Sequence, residues 1–83
     1  MFIHLGEDTI VRTSEVVAIF DYERMKEDQS NLRLLENLKK DKKVNNVSDQ
    51  LAKSVVFTDH TVYLSPFSPA TLKRRSQLTI NPS

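Results

Sequence analysis

Three adjacent cations, Lys73, Arg74 and Arg75, are the strongest chemical signal in this 83-residue sequence, and they follow two Ser-Pro pairs in the stretch SPFSPATLKRR. No acidic residue follows Asp59, so these cations have no carboxylate near them in the chain. Unpaired ammonium and guanidinium groups suit phosphate oxygens, and arginine adds a two-pronged hydrogen-bonding geometry. The run therefore indicates contact with a polyanion. A solvated helix face and a nuclear-localisation signal are the alternatives.

The expected helix limits how these cations are presented. Ser68 is a good helix cap and Pro69 suits the first helical position, so the sequence predicts a short helix from Ala70 to about Gln77. Consecutive residues on a helix point about 100° apart. At most two of the three cations therefore share a contact surface, while the third is solvated or packs against a neighbour.

Charge is unevenly distributed along the chain. The net charge is only +1, but residues 1–41 carry nine acids and six bases, whereas residues 42–83 carry two acids and six bases. The first half is thus −3 and the second half is +4. A basic face on a nearly neutral protein is the electrostatic footprint of a polyanion partner.

Residues that could catalyse a reaction or bind a metal are scarce. The absence of cysteine excludes thiolate metal sites and a cysteine nucleophile, and a single glycine excludes a glycine-rich phosphate loop. For His4, in a predicted strand, a structural or interface hydrogen bond is the better interpretation, and His60 lies in the polar turn TDHT. We expect no catalytic residue, metal, cofactor or small-molecule substrate. An enzyme would need both histidines and a carboxylate to converge in one pocket.

The size of the chain favours self-association. A domain this small buries only ~60% of the surface that its unfolded chain exposes, and without disulfides or metals oligomerisation is the remaining means of stabilisation. Three or four phosphate contacts from one subunit would bind DNA only at about 10⁻⁴ M in physiological salt. A closed homo-oligomer that repeats the basic patch along one duplex would raise the avidity about 10²- to 10⁴-fold.

The start of the chain predicts three short strands. FIHL and GEDTIVR form a hairpin joined at Gly6, which adopts a positive φ freely, and the third strand runs from Val16 to Phe20. Phe2 and Leu5 cannot share one face of a strand. One of them should therefore lie at a sheet edge or against a neighbouring chain.

The middle of the chain, ERMKEDQSNLRLLENLKKDKK, is rich in helix formers and predicts an amphipathic helix with Ser30 as the cap at its start. Its apolar stripe consists of Leu32, Leu34, Leu35 and Leu38. Lysines favour the negative pole at its end: Lys39, Lys40, Lys42 and Lys43. VNNVSDQL follows as a polar connection or a weak edge strand.

KSVVF and TVYL predict a second hairpin with Val55 and Val56 buried, and Pro66 ends its second strand because proline has no N–H for the ladder.

The predicted fold is α+β: a small sheet of about five to six short, mostly antiparallel strands, one amphipathic helix and a short C-terminal helix. We expect a single domain over residues 1–78 and a short tail over 79–83. The N-terminus lacks a basic signal region and no apolar run approaches the roughly 20 residues of a membrane span, so we expect a soluble, cytoplasmic protein that does not contact membrane.

Two segments resemble the RemA/RemB family of small bacterial regulators of extracellular-matrix genes: the opening, MFIHLGEDTIVRTSEVVAIFDYE, and the closing, AKSVVFTDHTVYLSPFSPATLKRR. IHLG and YLSPFSPATLKRRS are most similar to the RemB-type members. The resemblance implies a non-enzymatic DNA-binding protein that acts on transcription of biofilm-matrix operons. It also implies a sheet-rich protomer that assembles into a ring whose basic rim holds DNA.

The resemblance points to one further cation, and this chain differs from RemA-type sequences at two places. The basic residue that precedes the VV strand in RemA-type sequences corresponds to Lys53. RemA-type chains place adjacent arginines in the loop just before it, whereas this chain has VSDQLA with Asp49, and Glu15 replaces another arginine. Because a carboxylate repels phosphate, we expect DNA contact from Lys53, Arg74 and Arg75 rather than from this loop.

The sequence thus predicts a cytoplasmic, homo-oligomeric regulator that contacts the phosphates of double-stranded DNA through Lys53, Lys73, Arg74 and Arg75, with little direct reading of bases. The alternative is an oligomeric interaction or scaffold module that regulates through a protein partner without binding DNA itself.

Overall fold

The structure is a computed structural model that describes residues 1–41 and 43–80, with side chains as far as Arg75. Its strands are β1 (Phe2–Gly6), β2 (Thr9–Arg12), β3 (Val16–Asp21), β4 (Val44–Asn46), β5 (Ser54–Thr58) and β6 (Val62–Ser65). Its helices are α1 (Tyr22–Lys26), α2 (Gln29–Lys40) and α3 (Pro69–Ile80), with one 3₁₀ turn at Thr13–Glu15. The predicted α+β fold is confirmed, and the strands divide between two sheets.

The first sheet is the antiparallel hairpin of β1 and β2. Its turn follows Gly6, whose φ of 132° is closed to other residue types, as the sequence predicts. A Cβ at Gly6 would lie 3.1 Å from the Pro66 ring and 3.3 Å from Val47. The glycine therefore lets the hairpin approach the end of β6 closely.

The second sheet has the order β3-β5-β6-β4 and is antiparallel except where β4 runs parallel to β6. Because neighbouring side chains in a strand point to opposite faces, Val55 and Val56 face opposite ways, yet both are fully buried. The four-stranded sheet is therefore covered on both faces and forms the central layer. β3 is one of its two edge strands.

Each face of the central sheet has its own core. On one side, the hairpin and α3 bring Ile3, Leu5 and Leu72 against Val56. On the other side, α1 and α2 bring Met25 and Leu35 against Val55. Two serine hydroxyls join the central sheet to the side that carries the hairpin and α3. Ser65 donates to the Leu5 carbonyl at 2.6 Å, and Ser54 donates to the Phe67 carbonyl at 2.6 Å.

The central helical region differs from the prediction in three ways. It forms two helices, since Asp21 caps α1 and Asp28 caps α2. Ser30 is not the cap: it lies inside α2, and its N–H donates to the Asp28 carboxylate at 2.8 Å. Leu34 is exposed, whereas Leu35 is buried and Leu32 and Leu38 are half-buried. Lys39 and Lys40 lie in the last turn as expected, while Lys42 lies outside the described residues.

Helix α3 begins as the sequence predicts but ends later. β6 ends at Ser65, just before Pro66; Ser68 accepts a hydrogen bond from the Thr71 N–H at 3.2 Å, and Pro69 is the first helical residue. The helix continues to Ile80, beyond the expected end near Gln77, so the expected tail at 79–83 starts inside it. Residues 81–83 lie outside the described part of the chain.

Candidate nucleic-acid interface

Helix α3 presents its three cations on different sides. Leu72 is fully buried and anchors the helix between β1 and β3. At about 100° per residue, Lys73 and Arg75 lie on opposite flanks, while Arg74 points away from the core. All three are exposed.

Lys73 lies on the flank of α3 that faces β3. It lines a groove of about 620 Å³ that also contains Phe20 and Asp21 of β3, Arg24 of α1, and Ser68. The groove has an apolar floor and two cations on walls that belong to different helices. The lining also contains one carboxylate, Asp21, which accepts a hydrogen bond from the Arg24 N–H. The two cations outnumber it and have no ion-pair partner among the described residues, so the groove carries net positive charge, which favours an anion.

Arg75 lies on the flank that faces the hairpin. Its guanidinium carbon is 4.7 Å from the centre of the Phe67 ring, which is a cation–π distance. Phe67 in turn meets His4 edge-on, with the ring centres 5.9 Å apart. Arg75 is therefore positioned by an aromatic stack, whereas no ion pair with a described residue holds the Arg74 side chain.

Lys53 lies on a different element from the other three cations. Its N–H donates to the Ser65 carbonyl at 2.7 Å, and its own carbonyl accepts from the Tyr22 N–H at 3.0 Å. These bonds place it at the end of the sheet where β6 leads toward α3. Within the described residues, no ion pair, hydrogen bond or ring contact joins the Lys53 side chain to the cations of α3.

The ion pairs of the described residues leave three of the four predicted contact cations without a carboxylate partner. Lys53, Lys73 and Arg74 make no ion pair with any described residue, whereas Lys26 pairs with Glu23 at 3.3 Å. Arg24 is a cation that the sequence reasoning missed, because it lies in the acidic half of the chain. The signal that identifies it is the fold, since α1 places Arg24 across the groove from Lys73.

His4 stabilises local structure. The Nε2–H of His4 donates to the Glu7 carbonyl at 2.7 Å across the hairpin turn, where Glu7 has a φ of 48°. His60 is exposed in the turn between β5 and β6.

In the described ranges, no group of three His, Cys, Asp or Glu residues could hold a metal ion. No described helix has both the length and the apolar character that crossing a bilayer demands.

The two acidic residues at which this chain departs from RemA-type sequences, Glu15 and Asp49, do not line the groove. Glu15 is half-buried in the 3₁₀ turn, and Asp49 is exposed in the loop before β5. In that loop the Gln50 N–H donates to the Ser48 hydroxyl at 3.1 Å. The loop therefore presents a carboxylate to solvent at its tip.

Comparison with known proteins identifies the family. The family model RemA-like, described as extracellular matrix regulatory protein A-like, matches residues 2–75. The chain belongs to the RemA-like family. It is also 44% identical over 80 residues to extracellular matrix regulatory protein B of Bacillus subtilis (strain 168), an alignment that covers 93% of this chain and 91% of the relative. The RemA-like match includes Lys53 and ends at Arg75, so it contains all four predicted contact residues.

Proposed function

We propose that this RemA-like protein is a non-enzymatic, cytoplasmic transcriptional regulator of bacterial extracellular-matrix (biofilm) genes that binds double-stranded DNA as a homo-oligomeric ring. Its contacts are to phosphates, through Lys53, Lys73, Arg74 and Arg75. The observation that carries the proposal is the exposure of Lys73, Arg74 and Arg75 on α3, where Lys73 and Arg74 have no carboxylate partner in the described structure. The name of the relative, extracellular matrix regulatory protein B, supports the regulatory part of the proposal.

The arrangement of these cations suits the backbone of DNA better than its bases. Lys73 and Arg75 lie on opposite flanks of α3, so the helix meets a broad negative surface rather than a single base edge. To read a base, a side chain must hold paired hydrogen-bond donors or acceptors against the base edge in the major groove of DNA. Arg74 has no described side-chain contact that would hold its guanidinium in place. Arg24 extends the same surface across the groove from Lys73.

The proposal is tested by the salt dependence of DNA binding. Each phosphate contact contributes about −0.9 to the slope of log K against log salt concentration. We expect Arg74→Ala to weaken binding to unrelated duplexes uniformly and to make the slope shallower by about 1 for each engaged subunit. Fluorescence anisotropy with labelled duplexes between low and physiological salt measures both quantities.

Lys40→Ala is the matched control. Lys40 is an exposed cation in the last turn of α2, outside the groove and outside α3. It should leave the slope unchanged while lowering the net charge by the same amount. If both variants reduce binding equally, net charge rather than the α3 surface attracts the DNA. If wild-type affinity does not change with salt, the phosphate contacts are absent.

A second candidate function is a scaffold module that regulates through a protein partner. Exposed apolar side chains favour it, above all Leu51, which is 89% exposed in the loop that carries Asp49. Light scattering combined with a DNA titration separates the two candidates. An oligomer that ignores DNA at low salt supports the scaffold.

A further inference from the structure

The groove that Lys73 lines is large enough for a small molecule. Its volume of about 620 Å³ lies within the range of roughly 300–1,000 Å³ that is usual for ligand pockets. Its lining comes from β3, α1, α2 and the start of α3. An inorganic phosphate ion would leave most of this space empty, so the groove suits a larger anion.

The start of α3 offers two donors to such an anion. Ala70 and Lys73 both line the groove and are three residues apart, so they lie on the same side of the helix. The Ser68 hydroxyl accepts the Thr71 N–H, whereas the Ala70 N–H has no hydrogen-bond partner among the described residues. An unpaired N–H at a helix start and a lysine one turn further on suit a phosphate group. Arg24 adds a second cation from the wall that belongs to α1.

The floor of the groove is partly aromatic. Phe20 is 47% exposed there, and it meets Phe57 edge-on with the ring centres 5.6 Å apart. This contact holds the Phe20 ring in place while nearly half of the side chain stays open to a ligand. An exposed ring beside cations suits a nucleobase, because every base has a flat π face that stacks on aromatic side chains.

Two further polar side chains line the groove and match the polar groups of a sugar and a base. One oxygen of the Asp21 carboxylate accepts from the Arg24 N–H at 3.1 Å, and the other makes no bond to a described residue. The Asn31 side-chain amide makes none either, since only its backbone N–H is bonded, to Asp28. A carboxylate accepts from hydroxyl or amino groups, and an amide both donates and accepts. A simple alkyl phosphate would offer these side chains no such partners.

We infer that this groove binds a mononucleotide, with its phosphate between the cations of α1 and α3 and its base on Phe20. The nucleotide is a ligand here and not a substrate. The inference goes beyond the proposed function, which assigns Lys73 to the phosphates of DNA. Duplex DNA does not supply the same contacts, because its bases are stacked on one another and no base face is free for Phe20.

The test is a calorimetric titration of the wild-type protein with adenosine monophosphate (AMP), which carries a phosphate, a sugar and a base. Adenosine lacks the phosphate, and ribose 5-phosphate lacks the base. We expect AMP to saturate one site per chain. It should bind at least about tenfold more tightly than either fragment, because the phosphate contacts and the stacked base both contribute.

Two variants locate the site. Lys73→Ala should weaken AMP binding about tenfold, because a charged hydrogen bond is lost. Phe20→Leu should weaken it about fivefold, because the base loses an aromatic partner. Lys40→Ala is the matched control: Lys40 is an exposed cation in the last turn of α2, outside the groove, and its loss should leave AMP binding unchanged. If circular dichroism shows that Phe20→Leu does not fold, Asn31→Ala replaces it, with an expected loss of about fivefold.

Three results would overturn the inference: no saturable binding of AMP up to about 1 mM, binding of ribose 5-phosphate or adenosine as tight as that of AMP, or equal AMP affinities of folded Lys73→Ala and Lys40→Ala. None of these measurements involves DNA. A protein that binds AMP as described but shows no salt-dependent DNA binding refutes the DNA proposal alone. A protein that binds DNA but not AMP refutes the nucleotide site alone.

Discussion

The hydroxyl of Ser65 connects three segments that are distant in the chain. It is fully buried, it donates to the Leu5 carbonyl at 2.6 Å, and it accepts from the Phe67 N–H at 3.1 Å. One oxygen atom thus joins the hairpin to the end of β6 and to the segment that leads into α3. The positions of Phe67 and Arg75, which packs on it, depend on this bond.

We expect Ser65→Ala to lower the free energy of unfolding by about 1–3 kcal/mol, because the Leu5 carbonyl and the Phe67 N–H would lose their described partner at a buried site. Urea unfolding followed by circular dichroism measures the change. Ser14→Ala is the control, since Ser14 is exposed and should shift stability by no more than about 0.5 kcal/mol. Equal stability of the two variants would show that the bond contributes nothing.

Among the cations, Arg74 is a sharper probe of DNA contact than Arg75. The Arg75 guanidinium packs on the Phe67 ring, so its removal also disturbs the aromatic stack with His4. Truncating Arg74 changes charge at an outward-pointing position and leaves the described packing intact. A loss of DNA affinity in Arg74→Ala therefore reports on the phosphate contact itself.

Helix α2 is capped by Asp28, whereas the sequence predicts Ser30 as the cap. The Asp28 carboxylate accepts from the N–H groups of Ser30 at 2.8 Å and Asn31 at 3.3 Å, two of the donors that a helix start leaves unpaired. Asp28→Ala should lower the free energy of unfolding by about 1 kcal/mol. Ser30→Ala should change it little, because Ser30 contributes only its backbone. A larger effect from Ser30→Ala in urea unfolding would restore Ser30 as the cap.

The elements could be predicted from the sequence wherever a local signal defines them. Gly6 marks the hairpin turn, Ser68 and Pro69 mark the start of α3, and the VV pair marks a strand buried on both faces. The failures arise where two residues compete for one role. Asp28 and Ser30 are both good caps, and only the path of the chain after α1 decides between them. Leu34 belongs to the leucine stripe, but it lies beside β3, an edge strand of the central sheet, and stays exposed there.

The candidate site could be predicted only in part, for a similar reason. Charge spacing identified the three cations of α3, and helix geometry predicted that they would not share one direction. Neither signal could show that Lys73 faces α1, because that depends on the packing of α3 between β1 and β3. Arg24 therefore enters the site through tertiary structure alone.

In the proposed ring, assembly would compensate for the weak DNA binding of a single subunit. A small core leaves large apolar side chains exposed, and a few cations per copy hold DNA weakly. A ring of identical copies would repeat α3 at regular intervals along one duplex.

Repetition of α3 should therefore make affinity depend on duplex length without any change in the protein. We expect a duplex short enough for one subunit to bind about 10²- to 10⁴-fold more weakly than a long duplex, since avidity is lost when subunits no longer engage together. The salt slope on the short duplex should fall toward that of one subunit. Anisotropy titrations of the wild type on the two duplexes measure both effects. Equal affinity for both duplexes would mean that a single copy carries the whole DNA contact, and repetition of α3 would then have no part in binding.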